Sequence, residues 1–239
     1  MRTLKIITVV LLCFGGLPVA MSADCVVLLH GLARTASAMK PMVKPFERAG
    51  YRVVNVNYPS RKKTVEELAP LAVKQMGIDQ CGTLGVEDKV HFVTHSMGGI
   101  LVRYYLEHNS FAAIGNVVMT APPNQGSEVV DSLKGVPGFR LLNGPAGLQL
   151  GTDEDSIPSQ LGPVEFSLGV IAGNRTVNLI LSRYLPDPDD GKVSVASTKV
   201  DGMKDFLEVP RTHPFIMRGK DVIKQAMHFV KYGKFAHGM

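Results

Sequence analysis

From Val26 onward the chain alternates short apolar runs with amphipathic segments, and this alternation constrains the fold more than any other feature. Val26-Val27-Leu28-Leu29 is a continuous apolar run of strand length, the mark of a strand covered on both faces. A helix is predicted to begin at residues 35–37. Met39, Met42, Val43 and Phe46 share its inner face and Gly50 stops it, although Pro41 and Pro45 lie inside the pattern. Residues 51–57 read as a second strand. Thr64-Val65-Glu66-Glu67 has the capping-box pattern that opens a helix, predicted to end at Gly77. Residues 89–94 form the third strand. Met97, Ile100, Leu101, Tyr104 and His108 then line one helix face. Further strands are expected at residues 116–120, 165–171 and 206–209, and a last helical run at residues 221–232. Strand and helix in turn imply a parallel sheet with right-handed crossovers. No internal repeat and no linker divides the chain, so residues 24–239 read as one domain.

Two stretches fall outside this alternation. Residues 1–23 begin with Arg2 and Lys5, continue through an apolar run from Ile6 to Phe14, and end in small residues around Ala20, Ser22 and Ala23. That is the layout of a secretory signal. An uncleaved anchor is the alternative, but the apolar run falls short of the roughly 20 residues that span a bilayer. The chain is therefore expected to be exported, to a periplasm or beyond. The second stretch, residues 131–163, is rich in Gly and Pro but carries Val136, Phe139, Leu141, Leu142, Leu148 and Leu150. It is long for a plain connection. It reads as an insertion over one end of the sheet, and an ordinary helix followed by a loop fits the same residues.

Cysteine and charge narrow the class. Cys13 lies in the signal, which leaves Cys25 and Cys81. An even pair in an oxidising compartment points to one disulfide. Cys25 opens the first strand and Cys81 follows a helix running back beside it, so the two can meet. Two unrelated buried thiols are the alternative. Either way, no cysteine remains for a metal site, and none is expected. The formal net charge of +5 is spread along a chain without Trp and without a basic block, which argues against a nucleic-acid partner.

The chemistry is concentrated at predicted strand ends. Thr94-His95-Ser96-Met97-Gly98-Gly99 lies where the third strand turns into a helix. A serine there sits on a tight turn with its hydroxyl exposed, and the helix N-terminus favours developing negative charge. Gly98 and Gly99 remove side chains where helix and strand pass closely. His30-Gly31-Leu32 ends the first strand. The backbone N–H groups of Leu32 and Met97 are the candidate donors to an oxyanion, and His30 reads as a residue that shapes its loop. A serine nucleophile needs a base and an orienting acid. Asp190 and His213, both in loops, complete the order Ser, Asp, His. Asp187 and Asp189 are the other candidates for the acid, and both are expected to face water. His95 is expected to shape the pocket. His91, His108, His228 and His237 have positions typical of core or surface histidines.

On these motifs, together with Ala121-Pro122-Pro123-Asn124-Gln125-Gly126-Ser127 and Asp190-Gly191-Lys192-Val193, the chain resembles the α/β-hydrolase superfamily, in its lipase-like and serine-esterase branch. The resemblance covers essentially all of residues 24–239. It implies a minimal core of six parallel strands with helices on both faces, because the family's first antiparallel strands have no counterpart here. It also implies Ser96 as nucleophile, Asp190 as acid, His213 as base, and Leu32 and Met97 as oxyanion donors, with no cofactor. The usual elbow is G-x-S-x-G, and here Thr94 takes the place of the first Gly. The expected activity is cleavage of a small-molecule carboxylic ester or lipid through an acyl-enzyme, with transient contact at a membrane surface. An acyltransferase or thioesterase on the same triad, or a binding protein that keeps the fold, are the competing readings.

Overall fold

The computed structural model describes residues 24–238; the signal-like stretch at residues 1–23 lies outside them. Six strands form one sheet: β1 (Cys25–Leu29), β2 (Arg52–Val56), β3 (Val90–His95), β4 (Ile114–Thr120), β5 (Leu168–Gly173) and β6 (Asp205–Val209). All neighbours are parallel, in the order β2-β1-β3-β4-β5-β6. Every strand lies within a few residues of its expected position.

Helices cover both faces. On one face α1 (Lys40–Arg48) and α8 (Lys220–Tyr232) pack on Val26, Leu28, Val93, Val118 and Ile171. On the other, α2 (Val65–Ala69) and α3 (Met97–His108) pack on Val27, Leu29, Phe92, Met119 and Val170. Adjacent residues of one strand thus serve opposite layers, the period-two alternation of a pleated strand. Met39, Met42 and Phe46 are buried as expected. Pro41 sits in the first turn of α1 and Pro45 inside the helix.

The helix opened by the capping box differs from expectation. Both halves of the box are made, Glu67 N–H donating to Thr64 Oγ1 and Thr64 N–H to Glu67 Oε2. Regular α-helix nevertheless stops at Ala69, and residues Pro70–Gln75 continue as a wider turn in which Met76 N–H reaches Leu71 O. Pro70 has no N–H to give the preceding turn, so the ladder changes pitch there.

Cys25 and Cys81 are bonded, with Cα atoms 5.8 Å apart. The bridge ties the start of β1 to the short turn Ile78–Cys81 and closes a loop of sequence separation 56. Chain-entropy arguments give such a loop up to about 4 kcal/mol, or roughly 8–16 °C of melting temperature at this size. Reduction should therefore lower the melting temperature toward that extent while leaving activity below the transition intact, because the bridge lies at the opposite end of the strands from the loops described next. A melt that reductant does not shift would contradict this.

Three short helices occupy the interval between β4 and β5: α4 (Glu128–Leu133), α5 (Phe139–Leu148), broken at Gly144, and α6 (Ile157–Gln160). Beyond β5, α7 (Leu179–Ser182) precedes the loop that carries Asp190.

Candidate active site

The strand order reverses between β1 and β3, and in parallel sheets ligands gather at the carboxyl ends of the strands beside such a switch. Leu29 is in register with Thr94, so His30-Gly31 and His95-Ser96 emerge side by side. The loops after β5 and β6 bring Asp190 and His213 to the same edge.

Ser96 has φ 52° and ψ −125°, a backbone region that costs energy for any residue with a Cβ. The turn is held by Ser96 N–H to Thr120 O (2.9 Å) and Gly99 N–H to Ser96 O (2.9 Å). Its compactness depends on glycine. A Cβ on Gly98 would lie 2.8 Å from Leu29 O, and one on Gly31 would lie 3.0 Å from the Ser96 Cβ. Thr94, the departure from the usual elbow, fits because a Cβ is missing at Gly99, where it would meet Thr94 Oγ1 at 3.2 Å and Met119 Sδ at 2.9 Å.

The three expected groups form one chain. His213 Nδ1 lies 2.8 Å from Asp190 Oδ2, and His213 Nε2 lies 3.1 Å from Ser96 Oγ. A carboxylate only accepts, so Nδ1 carries the proton and Nε2 presents its lone pair to the serine hydroxyl. Asp190 is 1% exposed. Its second oxygen accepts from the N–H groups of Lys192 (3.0 Å) and Val193 (2.9 Å). The peptide of His213 is fixed too, its N–H donating to Asp190 O at 2.9 Å. Gly191, at φ +95°, supplies the bend that turns the carboxylate inward.

Two histidines support this set. His95 Nε2–H donates to His213 O at 3.0 Å. Burial, and then the neighbouring His213, hold its pKa well below the usual histidine range, so it stays neutral and positions the base. His30 Nδ1–H donates to Gly31 O, and its ring stacks on Tyr58 at 4.1 Å. The Tyr58 hydroxyl donates to His30 O. His30 therefore shapes its loop, as expected.

One expectation fails. Asp189 does not face water: it is 3% exposed, and it accepts hydrogen bonds from Gly191 N–H (2.6 Å) and the Ser182 hydroxyl. It also pairs with Ser194 in an isolated antiparallel bridge. Asp187 is exposed. The acid is Asp190, and Asp189 holds the loop that presents it.

Sequence reasoning also missed Arg103. It lies on α3 and is 2% exposed. Its guanidinium donates to Asn124 O and Oδ1 and to Leu161 O and Gly162 O, at 2.8–3.2 Å. Burial, opposed by the Glu107 charge, brings its pKa down to about 10. Its only signal in the sequence was a cation close to the apolar face of the helix.

Ser96 and His213 open into a cavity of about 270 Å³, walled mainly by apolar side chains. Leu133, Phe139, Leu142 and Leu150 belong to the interval between β4 and β5, so this segment forms one wall of the catalytic pocket. Leu32 lines it from the other side. Met97 is the first residue of α3, where an N–H has no carbonyl one turn earlier to bond. Among the described residues, no group of three or more His, Cys, Asp and Glu side chains could hold a metal ion.

A parallel sheet with a serine on a strained strand-to-helix turn, bonded through histidine to a buried aspartate, defines a Ser-His-Asp hydrolase class. A family model described as "Alpha/beta hydrolase family" matches residues 26–221, and the chain belongs to that family. Among solved structures it is similar to the mature lipase of Bacillus licheniformis, with TM-score 0.69 and 19% identity over 87% of this chain and 92% of that one. It is also similar to a metagenomic carboxyl esterase (TM-score 0.61, 20% identity, 84% and 68% covered). A third relative is the Paleococcus ferrophilus monoacylglycerol lipase (TM-score 0.56, 16% identity, 89% and 94% covered). At these identities the likeness is one of fold. No curated protein matches the chain in sequence.

Proposed function

We propose that this protein hydrolyses carboxylic esters with an apolar acyl group. The observation that carries the reading is the bonded chain Ser96–His213–Asp190 at the floor of an apolar cavity. His213 Nε2 takes the Ser96 proton as Oγ attacks the ester carbonyl. The N–H groups of Leu32 and Met97 receive the oxyanion. The imidazolium, stabilised by Asp190, returns the proton to the departing alkoxide and leaves an acyl-enzyme. Water, deprotonated by the same nitrogen, then releases the acid.

In this reading residues 1–23 direct export, and the Cys25–Cys81 bridge suits an oxidising compartment. Exposed Leu141, Leu142, Leu179 and Ile180 support transient contact of the pocket rim with a lipid surface.

A chain-length series of p-nitrophenyl esters, with thioesters alongside, tests the activity. Values of kcat/KM should rise by up to roughly fourfold per added methylene until the cavity is filled, following about 0.8 kcal/mol per buried CH₂. Faster thioester cleavage, or transfer to an added alcohol in preference to water, would reassign the reaction. No turnover together with no fluorophosphonate labelling of Ser96 would refute catalysis.

A further inference from the structure

The charge at the catalytic pocket is one-sided. Its walls include Arg34 and Lys192 and, among the described residues, no carboxylate. Asp190 is the nearest acid in sequence, but it is buried behind His213 with both oxygens occupied. Among the described residues neither Arg34 nor Lys192 forms an ion pair. Two cations at the mouth of one cavity repel each other, and the charge that opposes this at Lys192 is the buried Asp190 carboxylate, already committed to His213.

Both are set on fixed backbone. Lys192 N–H donates to Asp190 Oδ1, and its carbonyl accepts from the Ser127 hydroxyl at 2.7 Å. Arg34 follows Ala33, whose N–H donates to Ser60 Oγ at 3.1 Å and whose φ is +54°. The side chains are open to solvent. Even so, protein packed around the Lys192 ammonium, and then the Arg34 charge, lower its pKa, with Asp190 opposing.

The asymmetry continues outward. Arg34 and Leu142 also line an adjoining open hollow of about 700 Å³, whose other charged residues are Arg61 and Lys62, again without a carboxylate. The acids that follow closely in sequence are engaged elsewhere: Glu66 accepts from Gln149, and Glu67 pairs with Lys63. A path of positive charge therefore leads from the nucleophile past Arg34 to Arg61, beside the apolar wall of α5.

We propose that Arg34 and Lys192 form a subsite for an anionic group of the substrate, so that the ester attacked by Ser96 belongs to an acyl amphiphile bearing a phosphate. The acyl chain lies along Leu133, Leu142 and Leu150, and the phosphate lies toward Arg34. A guanidinium and an ammonium suit this task, because charge-assisted bonds to phosphate are among the stronger polar contacts. The inference rests on the hydrolase reading for the ester, while the anion subsite stands on geometry alone.

Binding and turnover test the two parts separately. Calorimetry at low salt compares dodecyl phosphate with the neutral ether 1-O-dodecylglycerol, on wild type and on Arg34→Gln/Lys192→Gln. Kinetics compare 1-dodecanoylglycerol 3-phosphate with 1-dodecanoylglycerol. Wild type should favour the anionic member of each pair by about tenfold or more. The double variant should bring both ratios close to one, and raised salt should erode them. The charge-conserving variant Arg34→Lys/Lys192→Arg should keep most of the preference, which excludes misfolding as the cause. Equal binding of the two amphiphiles by wild type, or a preference unchanged in the glutamine variant, would overturn the subsite. Selective binding of dodecyl phosphate without cleavage of either ester or labelling of Ser96 would instead sink the hydrolase reading and leave the subsite standing.

Discussion

Ser96→Ala is expected to lower turnover by about 10⁶-fold, the scale seen when a triad nucleophile is removed, with the melting temperature nearly unchanged. The two halves of this result have separate causes. Activity disappears because, among the described residues, the hydroxyl aligned with His213 Nε2 is the Ser96 Oγ at 3.1 Å. Stability survives because Ala keeps the Cβ, so the cost of φ 52° is paid equally by both residues. Nor is a helix cap lost, since the Ser96 side chain makes no capping bond to α3. Steady-state hydrolysis of a p-nitrophenyl ester beside a thermal melt reads both halves. More than a tenth of wild-type activity in folded protein would remove Ser96 from the role of nucleophile.

Asp190→Asn should cost about 10⁴-fold in turnover, the size known for a triad that loses its orienting charge. The amide can offer its oxygen to the N–H groups of Lys192 and Val193, which now bind Asp190 Oδ1. Its nitrogen then faces His213 Nδ1. Two donors cannot face one another, so Nδ1 must give up its proton and Nε2 must carry one. The lone pair that should accept the serine proton is gone. Asp189→Asn is a different experiment. Its carboxylate holds the loop through Gly191 and Ser182, so the first effect should be a loss of about 1–3 kcal/mol in stability, with a smaller loss of turnover. Paired melts and rate measurements on the two variants decide the matter. If Asp189→Asn is the catalytically damaging change while Asp190→Asn is mild, the acid is misassigned by one residue.

What could be read without coordinates follows physical lines. A strand covered on both faces must be apolar throughout, so β1 and β3 are plain in the sequence. The triad was legible because its members lie in turn-rich loops after strands and their order is informative. Asp189 was misread because Asp187-Pro188-Asp189-Asp190-Gly191 has the composition of a solvated turn. Its burial depends on Ser182, seven residues back, and on a bridge to Ser194. The early end of α2 traces to Pro70, whose missing N–H counts only once the register of the turn is known. Arg103 was invisible because a cation on an amphipathic helix ordinarily points to water. Here the carbonyls that receive it lie 21 and 58 residues away in sequence.

Those carbonyls lie on either side of a single excursion of the chain. Asn124 stands where the backbone leaves the sheet after β4, and Leu161 and Gly162 stand where it returns toward β5. One guanidinium thus fastens the entry and the exit of residues 125–160 to the same point on α3, the helix whose N-cap is Ser96. The excursion is held like a cassette clipped into a frame at both of its joints. Substitutions in the acyl wall over Ser96 are therefore expected to leave both joints in place while Arg103 is retained, provided they spare Ser127, whose hydroxyl holds the acid loop at Lys192 O.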